Sequence, residues 1–271
     1  MPNTEKKAAA RIRAGIGGWT YAPWRDNFYP ADLPQKQELA YASRQVSAIE
    51  INGTYYRTQT PASFDKWRKE TPDDFVFSLK ASRYCTAHRV LAQAGDSVER
   101  FIGSGISALQ EKLGPIVWQF PPTKVFDADD FGAFLALLPK TVEGIRLRHV
   151  LDVRNDSFMA PEYLALARRH GMATVFTDSP DYPSFADPTG DVIYSRLMCS
   201  EERYRAGYAP KALDEWAARA RQWAEGGLPA DLPYVGPRPA RDKPEAVFVF
   251  FINGYKEAAP AAAQALLQRL V

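Results

Sequence analysis

The chain is poor in the residues that build metal and disulfide frameworks, with two cysteines and three histidines in 271 residues. Cys85 and Cys199 belong to no CxxC pair, which excludes a thiolate zinc ribbon and a disulfide scaffold; both are expected as free thiols in a reducing compartment. So few histidines leave no cluster of transition-metal ligands, and no metal or cofactor is expected. A dominant charge is also missing. The formal net charge is +2, with no long basic run, so a broad nucleic-acid footprint is not indicated. No apolar run is long enough to cross a bilayer, and the opening MPNTEKKAAARIR lacks the apolar centre of a secretory signal. The chain therefore reads as a cytoplasmic protein without a membrane partner. Finally, the first apolar run leads into WTYAPW and not into a glycine-rich turn, which argues against a doubly wound dinucleotide-binding sheet.

What is present is a repeated alternation. Short apolar runs occur at Ala14–Gly18, Val46–Asn52, Phe75–Lys80, Ile116–Phe120, Val150–Arg154, Ala173–Asp178, Val192–Leu197 and Val247–Asn253. Near-continuous Val, Ile and Phe suits parallel strands covered on both faces. Helix signals lie between them. Thr60 caps a helix opened by Pro61 and stopped by Pro72; Asp96 and Glu99 have capping-box spacing; Pro161 opens a helix that closes near Gly171. Val98, Phe101, Ile102, Ile106, Leu109 and Leu113 form one apolar stripe, and Leu213, Trp216, Ala217, Ala220 and Trp223 another. A last helix falls near Ala261–Leu270, and the short connection Ser179–Asp191 is expected to hold only a weak helix. Eight βα units predict a single (β/α)8 TIM barrel over residues 1–271, with residues 1–11 flexible and the Pro-rich segment 228–244 on the N-terminal face.

The polar residues fall in phase with the strands. Side chains alternate between the barrel axis and the helices. Glu50 and Asn52 share a face opposite Ile49 and Ile51; Ser78 and Lys80 lie opposite Phe77 and Leu79; Asp152 and Arg154 lie opposite Leu151 and Val153. Gln119, Asp178, Arg196 and Asn253 stand at or near the ends of further strands. A ring of acids (Glu50, Asp152, Asp178) and bases (Lys80, Arg154, Arg196) at the C-terminal mouth is expected, because buried charges need partners. Barrel enzymes place their sites at this end. Loops above it supply Trp19, Tyr21 and Trp24, then Tyr55, Tyr56 and Arg57, which suit stacking on a sugar or base and holding an anion. His88 is the one histidine placed at the mouth.

The segments GIGGWTYAPWRDNFYP, AIEINGTYYRTQTPASFDKWRKETPDDFVFSLKASR with TAHRVL, KLGPIVWQFPPT, DVRNDSF, VIYSRL and VFVFFINGYKEAAPAAAQAL recur in this order in the YecE-like family (domain of unknown function 72), which the chain resembles over most of its length. The resemblance implies a TIM barrel and no established activity. It carries over Trp19, Tyr21, Trp24, Glu50, Asn52, Tyr56, Lys80, His88, Gln119, Pro121, Pro122, Arg154, Arg196 and Asn253. The chain departs from the pattern at Asp152 (usually Glu), Asn155 (usually His), Phe158 (usually Trp) and Met198 (usually His, in RLHG), so a mechanism needing those two histidines does not carry over.

Three functions are consistent with these residues. The first is an enzyme acting on a small anionic or carbohydrate-like molecule: a hydrolase, lyase or isomerase with Glu50, Lys80 and Asp152 as catalytic groups and Arg154, Asp178 and Arg196 among the substrate-binding ones. In it Lys80 is either a low-pKa amine or one half of a salt bridge with Glu50 or Asp152. The second is a phosphodiester or nucleic-acid enzyme, with magnesium on Glu50, Asp152 and Asp178. The third is a non-catalytic barrel that binds a small molecule.

Overall fold

The computed structural model describes residues 11–25, 27–237 and 242–271. Eight parallel strands close into a barrel: β1 (Arg11–Gly17), β2 (Ala48–Ile51), β3 (Val76–Lys80), β4 (Leu113–Gln119), β5 (His149–Asp152), β6 (Ala173–Thr177), β7 (Val192–Leu197) and β8 (Ala246–Phe251). Each strand pairs with its sequence neighbours, and β8 returns to β1 with Ile16 opposite Phe251. The expected TIM barrel is therefore the fold, and all eight apolar runs are strands. Residues 1–10 of the segment expected to be flexible lie outside the described residues, while Arg11 begins β1.

Parity divides the apolar side chains into two layers, as alternation requires. Ala48, Val117, Val150, Val175, Val192, Tyr194, Phe248 and Phe250 fill the barrel axis. Ile49, Ile51, Phe77, Leu79, Trp118, Leu151, Phe176, Leu197 and Phe251 belong to the larger layer under the helices. Gly15 in β1 is required by close approach, because a Cβ there would run into the Ala48 carbonyl and the Phe250 ring. The helix Pro210–Ala224 lays Leu213, Trp216, Ala217, Ala220 and Trp223 against the sheet, as its stripe predicts. Truncating such a tryptophan costs roughly 3–5 kcal/mol.

Three local expectations are corrected. Thr60 does cap Pro61–Glu70, accepting from the Ser63 amide, but Asp96 and Glu99 form no capping box. That helix starts two residues earlier, at Gly95, and its cap position is Ala94, which has no side-chain acceptor. The apolar stripe also does not run on as one helix. Gly103 ends the helix, Gly105 takes a φ of 94°, a 3-10 segment follows at Ile106–Lys112, and Leu113 already belongs to β4. Lastly, no helix forms between β6 and β7. Part of the Pro-rich segment packs there instead. The Ala186 amide donates to the Pro233 carbonyl at 2.8 Å, and the Asp187 carboxylate accepts from the amides of Val235 and Gly236, both at 2.8 Å.

Candidate active site

At the C-terminal end of the strands the axis changes from apolar to charged. Arg196, on the same face of β7 as Tyr194, is the centre of the polar layer. Its Nε and Nη2 donate to the two oxygens of Glu50, each at 3.0 Å, and its Nη1 donates to Asp152 Oδ2 at 2.7 Å. Tyr194 donates to Glu50 Oε2 at 2.8 Å and lies 2.8 Å from Ser78 Oγ. Glu50 is wholly buried, and Arg196 and Asp152 are nearly so. Burial works against the charge of Arg196, but Glu50 and Asp152 outweigh it and raise the guanidinium above its ordinary value. Arg154 also donates to Asp152 Oδ2, at 3.2 Å, so two carboxylates face two guanidiniums and the buried set is neutral without Lys80.

Lys80 is therefore surplus. It is 7% exposed, yet its Nζ makes no hydrogen bond or ion pair to a described residue and sits 4.4 Å above the Tyr55 ring. Its pKa is lowered to about 8, first by burial and then by the nearby Arg196 charge, against the pull of Glu50 and Asp152. Of the two roles expected for this lysine, the salt bridge does not form, because Arg196 occupies Glu50 and Asp152 is taken by Arg196 and Arg154.

Above this layer lies a cavity of about 840 Å³, entered between the loops that follow β1, β2 and β8. Of the expected site residues, Trp19, Asn52, Tyr56, Arg57, Lys80, Arg154, Arg196 and Asn253 line it. Gly18 at the end of β1 adopts a φ of 76° and donates to the Glu50 carbonyl at 2.8 Å, turning the WTYAPW loop over the mouth. Trp19 rests edge-on against Trp67, with ring centroids 5.1 Å apart. Arg154 stacks on Tyr182 at 4.3 Å, and its buried Nε has no hydrogen-bond partner among the described residues.

The other expected residues stand elsewhere. Glu50 and Asp152 are not among the cavity's lining residues; both Glu50 oxygens and Asp152 Oδ2 are taken up in orienting Arg196. Asp178 is one residue past the end of β6, on the parity of Phe176, which packs against Trp216; Thr177 points inward in its place. The Asp178 carboxylate accepts from the Met198 amide at 2.6 Å and from Tyr208 at 3.1 Å, holding the loop after β7. Burial raises its pKa. The three acids therefore do not converge as a magnesium site would require. Trp24 is fully buried and donates to the Lys256 carbonyl at 3.0 Å, while Tyr21 donates to Glu257 at 3.0 Å; both fasten the β1 loop to the β8 loop. His88 lies in a separate depression with Arg89 and Lys124, its Nε2 3.3 Å from Ser97 Oγ. Gln119 is a buried neighbour of Tyr55 and does not line the cavity; its Oε1 has no partner among the described residues.

Sequence reasoning missed Tyr194, Tyr182, Gln59, Trp67 and Lys256. Tyr194 was legible, since it shares the parity of Arg196 in VIYSRL. The others reach the mouth from loops and helices, where no strand period marks them. Cys85 and Cys199 are both free thiols. Among the described residues no helix is long and apolar enough to cross a membrane.

Fold and site together define a parallel (β/α)8 barrel with a basic cavity at the C-terminal mouth. The chain belongs to the family described as "Protein of unknown function DUF72", whose model matches residues 13–271. It is 27% identical over 188 residues to the UPF0759 protein YunF of Bacillus subtilis (strain 168), covering 66% of this chain and 64% of that protein. It is 28% identical over 142 residues to the UPF0759 protein YecE of Escherichia coli (strain K12), covering 51% of this chain and 48% of that protein. The match thus spans about two thirds and about half of these curated relatives. Among solved structures, a DUF72 family protein of Thermotoga maritima MSB8 superposes with a TM-score of 0.73 at 21% identity, covering 96% of this chain and 99% of that one. A DUF72 family protein of Enterococcus faecalis V583 gives a TM-score of 0.67 at 14% identity, covering 96% and 98%. These two share the fold.

Proposed function

We propose that this barrel is an enzyme acting on a small anionic, carbohydrate-like molecule bound in the mouth cavity. One observation carries the reading: the described residues lining the cavity include five basic side chains, Arg57, Lys80, Arg154, Arg196 and Lys256, and no carboxylate. The acids that would cancel this charge, Glu50 and Asp152, are outside the lining and ion-paired to Arg196. An anion entering the cavity meets the unpaired Lys80 amine and the incompletely bonded Arg154 guanidinium, whose donors need not be taken from another partner. Asn52, Gln59 and Asn253 supply neutral donors and acceptors for hydroxyl groups, and Trp19 and Tyr56 supply faces for a sugar ring.

The test is calorimetric titration with phosphate, sulfate and a panel of phosphorylated and carboxylated metabolites, followed by a turnover screen on whatever binds. Arg154→Ala is expected to weaken binding by ~1–3 kcal/mol, the scale of a lost charged hydrogen bond. Absence of anion binding at roughly millimolar concentration, the upper end of ordinary enzyme affinities, refutes the anionic substrate and leaves a neutral sugar. A bound anion with no turnover across the screen supports a binding protein in place of an enzyme.

A further inference from the structure

We propose that Lys80 forms an imine with the carbonyl carbon of a small aldehyde or ketone that also carries a carboxylate or phosphate, the anionic group resting on Arg154. The inference rests on the anion-binding reading above and names the chemical class of its substrate and the group that reacts.

The geometry carries it in three steps. First, the lining offers little acid–base chemistry. It holds amides, guanidiniums, tyrosines, indoles and two lysines, with no carboxylate among the described residues. A guanidinium stays protonated in proteins, and amides do not titrate. A phenol is a weak nucleophile at its ordinary pKa, so nucleophilic attack near neutral pH falls to an amine. Second, the two lysines are not equivalent. The Lys256 Nζ is stacked over the Tyr21 and Trp24 rings, at 4.5 and 5.7 Å from their centroids, in the loop after β8. Lys80 ends β3 on the barrel axis, almost wholly buried, with its amine unbonded at the cavity floor. The side-chain stem is packed away while the amine opens on the cavity, where an incoming molecule meets it with no protein partner to displace. Third, the surroundings match both ends of an imine sequence. Burial and the Arg196 charge favour the neutral amine that attacks, with a pKa of about 8. The Tyr55 face at 4.4 Å and the diffuse field of Glu50 and Asp152 favour the cation that results.

The step balances without an oxidant or cofactor. The Lys80 nitrogen lone pair forms the C–N bond while the carbonyl π pair moves to oxygen. A proton passes from nitrogen to that oxygen, giving a carbinolamine. The hydroxyl then departs with one further proton as water, leaving a protonated imine. The net change is amine plus carbonyl plus one proton to iminium plus water. The iminium withdraws electrons from the adjacent carbon, which suits lyase and isomerase chemistry better than hydrolysis.

The experiment is reductive trapping on the full chain. Glyoxylate and pyruvate serve as anionic probes and propanal as the uncharged one, each with cyanoborohydride, and labelled lysines are located by peptide mass spectrometry. At pH 7 an amine of pKa near 8 has a neutral fraction on the order of 10²-fold above that of an ordinary lysine, part of which is lost to lower nucleophilicity. Lys80 is therefore expected to label at least roughly tenfold faster than the other lysines, faster with glyoxylate than with propanal, with a rate that levels off above pH 8 or so. Arg154→Ala should abolish the preference for the anionic probes while propanal still labels Lys80. If Lys80 labels no faster than surface lysines although phosphate binds in the calorimeter, the imine is overturned and the anion site stands. If Lys80 labels fast but equally with all probes, the imine stands and the anion site falls. The wild-type comparison of charged with uncharged probes needs no variant to fold.

Discussion

Replacing Arg196 by Met removes three donors at once and strands two carboxylates in the barrel axis. Arg196 is 1% exposed, Glu50 0% and Asp152 4%, so solvent does not screen the loss. In Arg196→Met, among the described residues Glu50 keeps only the Tyr194 hydroxyl and Asp152 only the 3.2 Å contact from Arg154. Removing one partner of a buried ion pair costs about 3–5 kcal/mol, because the surviving charge stays desolvated. For a chain of this size each kcal/mol lowers Tm by roughly 2–4 °C, so a fall of about 6–20 °C is expected. Circular dichroism melts of Arg196→Met, Glu50→Gln and the double variant form a cycle. The double variant should be more stable than the two single losses sum to, by about 0.5–3 kcal/mol, since the groups act as one network. A cost below about 1 kcal/mol for Arg196→Met, the value of an exposed pair, or strict additivity in the cycle, would refute the buried-hub reading.

The remaining expectations follow from the same layer and from its surroundings. Lys80→Met should stabilise the fold at pH 7 by ~1–3 kcal/mol, because a lysine lowered from 10.5 to about 8 penalises the folded state wherever both states are protonated. The penalty is relieved as pH rises from about 8 towards 10.5, so the advantage of Lys80→Met should shrink over that window in denaturant titrations; a constant difference would argue against a perturbed amine. Asp178→Ala should cost ~1–3 kcal/mol and speed amide exchange at Met198, which loses its carboxylate acceptor; unchanged exchange would remove Asp178 from the loop's support. His149 is lowered to about 4 by burial, accepting from Trp118 Nε1 at 3.0 Å and facing the Pro139 carbonyl at 2.8 Å. A depressed histidine binds its proton first in the unfolded chain, so stability should fall as pH drops from 6.5 to about 4, and His149→Gln should flatten that slope in acid titrations.

The strands and their inward faces were legible in the sequence because both depend on short-range rules. Val, Ile and Phe runs such as VFVFFIN must be covered on both sides, and a period of two assigns every residue of VSAIEIN or VIYSRL to the axis or the helices once one is placed. That logic put Glu50, Lys80 and Arg196 in one layer without any knowledge of what they touch. It failed where the period ends. Asp178 lies a single residue beyond β6, and at that point the chain's direction is set by the loop it holds, not by the pleat. Trp24 and His88 were placed near the mouth because their loops begin there, but loop side chains turn toward whatever apolar or polar surface lies closest, and those surfaces come from segments far away in sequence.

Pairing, above all, was decided only by the tertiary structure. Composition along the strands supplied acids and bases in the right layer, and Lys80 had two equally good carboxylates to choose from. Arg196 takes both, because a planar guanidinium placed between β2 and β5 across the axis reaches Glu50 with two donors and Asp152 with a third. A lysine has one nitrogen and no such fork. The unpaired amine at the cavity floor, and the chemistry proposed for it, follow from that competition among residues up to 146 positions apart, which local sequence rules do not reach.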